Sequence, residues 1–308
     1  SGAIEMTEQP QEQSPHEQSP ADQAAAYAAM VDESRNTATV APYAISDDLR
    51  PTIDELDLWE NVAELRDQGY TVIKNVAPPE LFDQLREVIH TLAEESAMKG
   101  KGASMLLGRD PVVDQVATLP KVLATAEASI GQGMRASQFV CSILHKGDGH
   151  LNLHADANWL PAPFPEHNCV LTFCMPCEGM TDEGGATRVV PSSNSLRRHI
   201  TQEEMENSEH VPIEVEKGSI AVWDGAVWHS GGIRTIPGTR TVLHATYQRM
   251  YVQPIDDYTY LLEDEEYVKN ASEELLGLIG ADLFYGTATL DHSVDLQKFF
   301  SSTIKAKK

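Results

Sequence analysis

Four residues have types and spacings that chemistry can use: His154, Asp156, His229 and Arg240. His154 and Asp156 stand two apart at the end of LNLHAD. Side chains of an extended segment alternate with period two, so an imidazole and a carboxylate would share one side. His229 closes the run IAVWDGAVWH, which reads as a second β segment able to lie against the first. Two neutral imidazoles and a carboxylate brought together would cover one face of an octahedral metal and leave three positions open, the ligand set of non-haem iron(II) oxygenases. Zinc accepts similar atoms, but its catalytic sites generally stop at four ligands and the sequence has no HExxH helix. Arg240 follows SGGIRTIPGT, a Gly- and Pro-containing stretch that can turn the next strand back beside the metal. A planar guanidinium there would take a carboxylate through two parallel hydrogen bonds. Arg234 competes for that role, but it lies inside the turn.

These residues need a β framework, and the pattern supplies one. From about Met134 to Val252 the chain consists of short runs rich in Val, Ile, Thr, Phe and Trp, broken by Gly, Pro, Asn and Asp. The expected strands are Ser137 to Leu144, Leu151 to Ala155, Cys169 to Pro176, Thr187 to Val190, Ile213 to Val215, Ser219 to Trp223 and Thr241 to Tyr247. That series predicts a mainly β fold with flanking helices, a double-stranded β-helix or cupin-like jelly roll whose two sheets enclose a pocket. Before it, the segment from Pro51 predicts an amphipathic helix ended by Gly69. A short β run follows over Tyr70 to Val76, and a second helix opens at Pro78 and Pro79 with Leu81, Leu85, Val88, Ile89 and Leu92 as its apolar stripe. Beyond Tyr258 the spacing is helical again.

Residues 1–45 are rich in Glu, Gln, Ser, Pro and Ala, and include the near-repeat EQSPHEQSP. Such a segment cannot offset its ordering entropy, so a disordered tail is expected, with a short Ala-rich helix around Ala24 to Met30. The expected organisation is therefore this tail, a single catalytic domain over 46–300 with its jelly-roll core at about 134–252, and a short tail at 301–308. The chain has 308 residues, 41% of them hydrophobic, and a formal charge of -24, the opposite of a nucleic-acid footprint. No apolar run approaches the length that spans a bilayer, so membrane association is not expected and a cytoplasmic location is. The four cysteines, Cys141, Cys169, Cys174 and Cys177, are clustered, and Cys174 and Cys177 sit in an apolar run, so reduced core thiols are expected.

Three motifs, HADANW at 154–159, EGGATRVVPSSN at 183–194 and GSIAVWDGAVWHSGG at 218–232, resemble the phytanoyl-CoA dioxygenase family of Fe(II)- and 2-oxoglutarate-dependent oxygenases. The likeness extends over roughly 55–280. In that family an arginine eleven residues after the distal histidine binds 2-oxoglutarate, and Arg240 stands eleven after His229. The resemblance implies Fe(II) held by His154, Asp156 and His229, with 2-oxoglutarate and O2 as cosubstrates and Arg240 on the distal carboxylate. It implies oxidation, by default hydroxylation, of an unactivated carbon in a small-molecule substrate, with release of succinate and CO2.

Thr172 and Gln138 are further candidates for cosubstrate contact. Gly231 stands where relatives often have a serine that touches 2-oxoglutarate, so Ser230 is a possible substitute. Asn158 and Trp159, directly after the metal pair, are expected to face substrate. An aspartate at 156 argues against halogenation, since related halogenases carry a small residue there to admit chloride. Two other readings stand beside this one: a jelly-roll metal-binding or sensing protein without turnover, and a cupin-like isomerase or hydrolase using another divalent metal. The Lys99, Lys101 and Arg109 group marks a loop suited to an anionic ligand.

Overall fold

In the computed structural model, residues 19–36 and 45–281 are described. The expectations for the rest of the N-terminal tail and for 301–308 lie outside the described residues. Within that tail a helix runs over Pro20–Asn36, longer than the Ala24 to Met30 segment expected. Its alanines favour the conformation, and Ser19 and Asp22 cap its first turn, each backbone N–H donating to the other's side chain at 3.2 Å.

The single helix expected after Pro51 is two, Arg50–Glu55 and Trp59–Gln68, because Asp57 adopts a left-handed conformation (φ 54°) between them. Ile53, Val62 and Leu65 are still buried, but Trp59 turns outward. Gly69 caps the second helix at φ 82°. The helix Pro79–Glu95 buries the predicted stripe at Leu81, Leu85, Ile89 and Leu92, together with Phe82.

Nine strands follow one another among the described residues: β1 (Tyr70–Ile73), β2 (Gly102–Ala103), β3 (Arg135–His145), β4 (Val170–Pro176), β5 (Arg188–Val189), β6 (Val211–Pro212), β7 (Ile220–Asp224), β8 (His229–Ser230) and β9 (Thr239–Gln248). Six form an antiparallel sheet in the order β1-β7-β4-β9-β3-β2, and three form a smaller one in the order β6-β5-β8. This is the jelly-roll arrangement the pattern predicts.

Three details differ from the sequence reading. The strand expected at Ile213 to Val215 lies earlier, at Val211–Pro212, and Val215 makes only an isolated bridge to Met180. LNLHAD is not a strand; only His154 makes a β-bridge, to His229. The run IAVWDGAVWH is not continuous either. It breaks in a turn at Asp224, where Val227 N–H donates to Asp224 O at 3.1 Å and Ala226 N–H to Asp224 Oδ1 at 2.8 Å. Gly225 makes that turn possible, since a Cβ there would lie 2.7 Å from Val170 Cβ. The chain thereby leaves the large sheet at β7 and enters the small one at β8.

Period-two alternation gives the large sheet two apolar faces. Leu171, Phe173, Ile220, Val222, Leu243, Ala245 and Tyr247 face the helices and join the main core. Cys174, Ala221, Trp223 and Val242 face inward and pack with Val189 and Ile213 of the small-sheet region. All four cysteines are free and buried. Among the described residues no helix is long and apolar enough to cross a membrane.

The end of the helix Trp59–Gln68 is tied to the large sheet and to the segment after β5, since the Gly69 carbonyl accepts from Asp224 N–H at 2.8 Å while the neighbouring Gln68 carbonyl accepts from Ser192 N–H at 2.8 Å. A Cβ on Gly69 would meet Val227 Cγ2 at 2.8 Å in a left-handed conformation. Gly69→Ala is expected to cost about 2 kcal/mol, read as a lower urea midpoint at unchanged slope.

Candidate metal and cosubstrate site

The bridge between His154 and His229 is reciprocal: each backbone N–H donates to the other's carbonyl at 2.9 Å. Directly opposed residues of an antiparallel pair project to one face, and the two imidazole centroids lie 4.5 Å apart. His154 Nδ1 is 2.8 Å from Asn152 O and His229 Nδ1 is 3.1 Å from Val227 O. A carbonyl only accepts, so each ring carries its proton on Nδ1 and turns Nε2 inward.

Asp156 completes the group. Its Oδ1 lies 3.3 Å from His229 Nε2 and 3.7 Å from His154 Nε2. The three ligand atoms fall within 4.8 Å of one another. Burial alone would raise the Asp156 carboxyl, but the charge and hydrogen bond of His229, with donors from Thr172 and Trp223, hold it well below the ordinary carboxylate range. Burial would likewise lower His229, yet Asp156 keeps it above its usual value. His154 is pushed down by burial and by the charge of His229. Without metal, a proton between His229 and Asp156 balances the carboxylate, and a divalent cation would take its place. Two imidazole nitrogens and one carboxylate oxygen, open on one side, fit iron(II).

Arg240 and His154 line a common cavity. This cavity of about 410 Å³ is lined by His154, Ser230, Gly231, Leu144, Lys101 and Arg240, among others. The guanidinium is 4% exposed; it donates from Nη1 to Gly185 O, and its Nε has no hydrogen-bond partner among the described residues. Burial pushes its pKa down. The nearby Glu178 is engaged by Arg86 at 2.9 Å. A buried cation with an unused donor calls for an anion, which the distal carboxylate of a dicarboxylate would supply. Arg234 offers nothing comparable, because the carbonyls of Gly238, Gly184 and Pro237 accept from it at 3.1, 3.2 and 2.5 Å.

The remaining candidates divide. Thr172 donates to Asp156 Oδ2 at 2.7 Å, so its hydroxyl proton serves Asp156 and is not free for a cosubstrate. Ser230 lines the cavity, but its Oγ accepts from Asn152 N–H at 2.7 Å and lies 3.3 Å from His150 O, bracing the segment that leads to His154. Gly231 leaves open space, with nothing within 4 Å of an added Cβ. Gln138 faces inward opposite Thr246. Asn158 and Trp159 are exposed, Trp159 by 43%, and line neither the metal group nor the Arg240 cavity. Of the basic loop, Lys101 lines the cavity while Arg109 lies 4.0 Å from Glu95. Phe164, in the proline-containing segment that follows Trp159, is buried against Ala155, Ala157 and Trp228.

The residue that sequence reasoning missed is Trp223. Its Nε1 donates to Asp156 Oδ2 at 2.9 Å and its ring lies 4.8 Å from that of His229. Alternation along β7 could have placed it, because it shares the inward face with Ala221.

Residues 65–242 match the family model described as phytanoyl-CoA dioxygenase (PhyH). The chain belongs to the phytanoyl-CoA dioxygenase family. The chain is 31% identical over 167 residues to dioxygenase af480 of Aspergillus fumigatus, covering 52% of this chain and 52% of that protein. The chain thus spans about half the length of the curated relative it matches. Solved structures share the fold: apo HygX from Streptomyces hygroscopicus (TM-score 0.54, 15% identity, 64% of this chain and 88% of that one) and iron-bound EctD from S. alaskensis (0.55, 15%, 64% and 79%). The 2-oxoglutarate-dependent epimerase SnoN of nogalamycin biosynthesis is similar too (0.53, 19%, 67% and 87%).

His244, on the same inward face, stays neutral: burial, with the charge of Arg240, pushes it from 6.5 down to about 4. The unfolded chain therefore binds this proton before the folded one does, and the stability it contributes above pH 6.5 is lost as pH falls toward 4. In the metal-free protein, His244→Gln is expected to flatten the decline in urea midpoint across that window.

Proposed function

We propose that this protein is an Fe(II)- and 2-oxoglutarate-dependent dioxygenase that hydroxylates an unactivated carbon of a small molecule, with His154, Asp156 and His229 as metal ligands. One observation carries the reading: His154 of the proposed metal group and the partly unpartnered, buried Arg240 line one cavity. A cosubstrate with a chelating keto acid at one end and a carboxylate at the other suits both ends of that space. When bound, the iron and 2-oxoglutarate supply the activation of dioxygen, and the cosubstrate leaves as succinate and CO2.

The chain's own residues do the rest. His154 and His229 present lone pairs on Nε2, kept inward by their Nδ1 bonds to Asn152 and Val227. Asp156 neutralises part of the metal charge. Arg240 fixes the cosubstrate's orientation, and the apolar walls at Ile143 and Leu144 help to exclude water. A non-catalytic sensor, or an isomerase working through another metal, has no use for a buried guanidinium beside the metal group. HygX has been crystallised with nickel and 2-oxoglutarate, which supports this pairing on the shared fold.

Anaerobic addition of Fe(II) and then 2-oxoglutarate is expected to give a visible charge-transfer band, and succinate release should appear against a metabolite extract containing the substrate. Arg240→Met should weaken 2-oxoglutarate binding about 100-fold, the loss of a charge-assisted pair. Its unfolding midpoint should hold or rise, because a buried cation is replaced by an apolar chain of similar length. Unchanged 2-oxoglutarate affinity in that variant would sink the assignment of Arg240.

A further inference from the structure

The two oxygens of Asp156 are treated differently. Oδ1 faces the histidine nitrogens, whereas Oδ2 accepts from Thr172 Oγ1 at 2.7 Å and from Trp223 Nε1 at 2.9 Å. We propose that Thr172 and Trp223 are positioning residues that hold Asp156 as a one-oxygen metal ligand and so keep a coordination position free for the reaction. The inference rests on Asp156 being a metal ligand.

Counting positions shows why this matters. Two imidazoles and a carboxylate bound through one oxygen leave three of six octahedral sites, enough for a chelating cosubstrate and dioxygen together. A carboxylate bound through both oxygens would leave only two. An aspartate can adopt either mode, so something must choose.

For Oδ2 to swing onto a metal, two hydrogen bonds would have to break. Thr172 and Trp223 are 3% and 2% exposed, so water is poorly placed to replace the lost acceptor. The donors are themselves fixed. Thr172 pairs with Trp223 across β4 and β7, and with Thr246 across β4 and β9, so the three form one inward-facing row across three strands. The hydroxyl of Thr246 lies 3.1 Å from that of Thr172. Because Thr172 gives its only proton to Asp156, it must accept from Thr246, and the polarity of the relay is set. Trp223 also packs against His229, so one side chain braces two ligands.

The test uses cobalt(II) as a spectroscopic probe in the full chain, with Thr172→Val, Trp223→Phe and the conservative Thr172→Ser. Thr172→Val and Trp223→Phe are each expected to change the visible d–d spectrum of the cobalt form and to weaken 2-oxoglutarate binding to it by about tenfold or more. Melting of the metal-free proteins should stay within a few degrees of the parent, and Thr172→Ser should restore both spectrum and affinity. A parental spectrum and affinity in Thr172→Val would overturn the proposal, as would equal damage in Thr172→Ser, which would mean packing alone. Should Thr172→Val fail to fold, Trp223→Phe decides by the same two readouts. Failure of the parent chain to bind cobalt(II) or 2-oxoglutarate would defeat the metal-site reading, and this inference with it; a competent parent with unaltered variants defeats the inference alone.

Discussion

The reciprocal backbone pair between His154 and His229 is the constraint on which the site depends. It is made by a segment that is otherwise not a strand and by a strand of only two residues. Two N–H donors and two carbonyls satisfied across one narrow gap leave the side chains little choice of direction, and the adjoining carbonyls of Asn152 and Val227 then choose the nitrogen each ring presents. Asp156 follows two residues later and is secured from the opposite sheet. The His-Asp-His group is thus assembled between the two sheets, with His229 on the small one, His154 bridged to it, and the donors to the carboxylate on the large one.

Charge is distributed with the same economy. The protein is strongly acidic as a whole, yet its inward face carries a buried guanidinium at one end and an ionised carboxylate near the other. Between them His244 is kept neutral by burial and by Arg240. A cation, an uncharged imidazole and an anion make this inward face polarised, and a metal ion and a dianion are complementary to it.

Much of this was legible in the residues. His154, Asp156, His229 and Arg240 could be picked out by type and spacing, although the run before His154 proved to be a loop with one bridge and the run before His229 is split between two sheets. The family likeness added meaning to Arg240 that composition alone lacks. What could not be read were the contacts made between distant segments. Thr172 reads as a polar residue in an apolar strand, and only the meeting of β4 with the loop at Asp156 shows which group its hydroxyl serves. Trp223 reads as core for the same reason. The break at Asp224 was hidden because DG inside an apolar run signals a turn but not a change of sheet, which depends on the close approach of Val170. Asn158 and Trp159 illustrate the converse: adjacency in sequence to a ligand does not set direction in space.

The segment after the metal pair is fastened at its two ends. Ala157 N–H donates to Gly225 O at 2.8 Å, and Phe164 N–H to Arg197 O at 2.7 Å, with the Phe164 ring sunk beside Trp228. The residues between are held by their stem and bear little of the packing, with Asn158 and Trp159 exposed. The scaffold therefore behaves as a socket with an exchangeable fitting: the exposed tip can be rewritten in length and character while His154 and Asp156 before it keep their places.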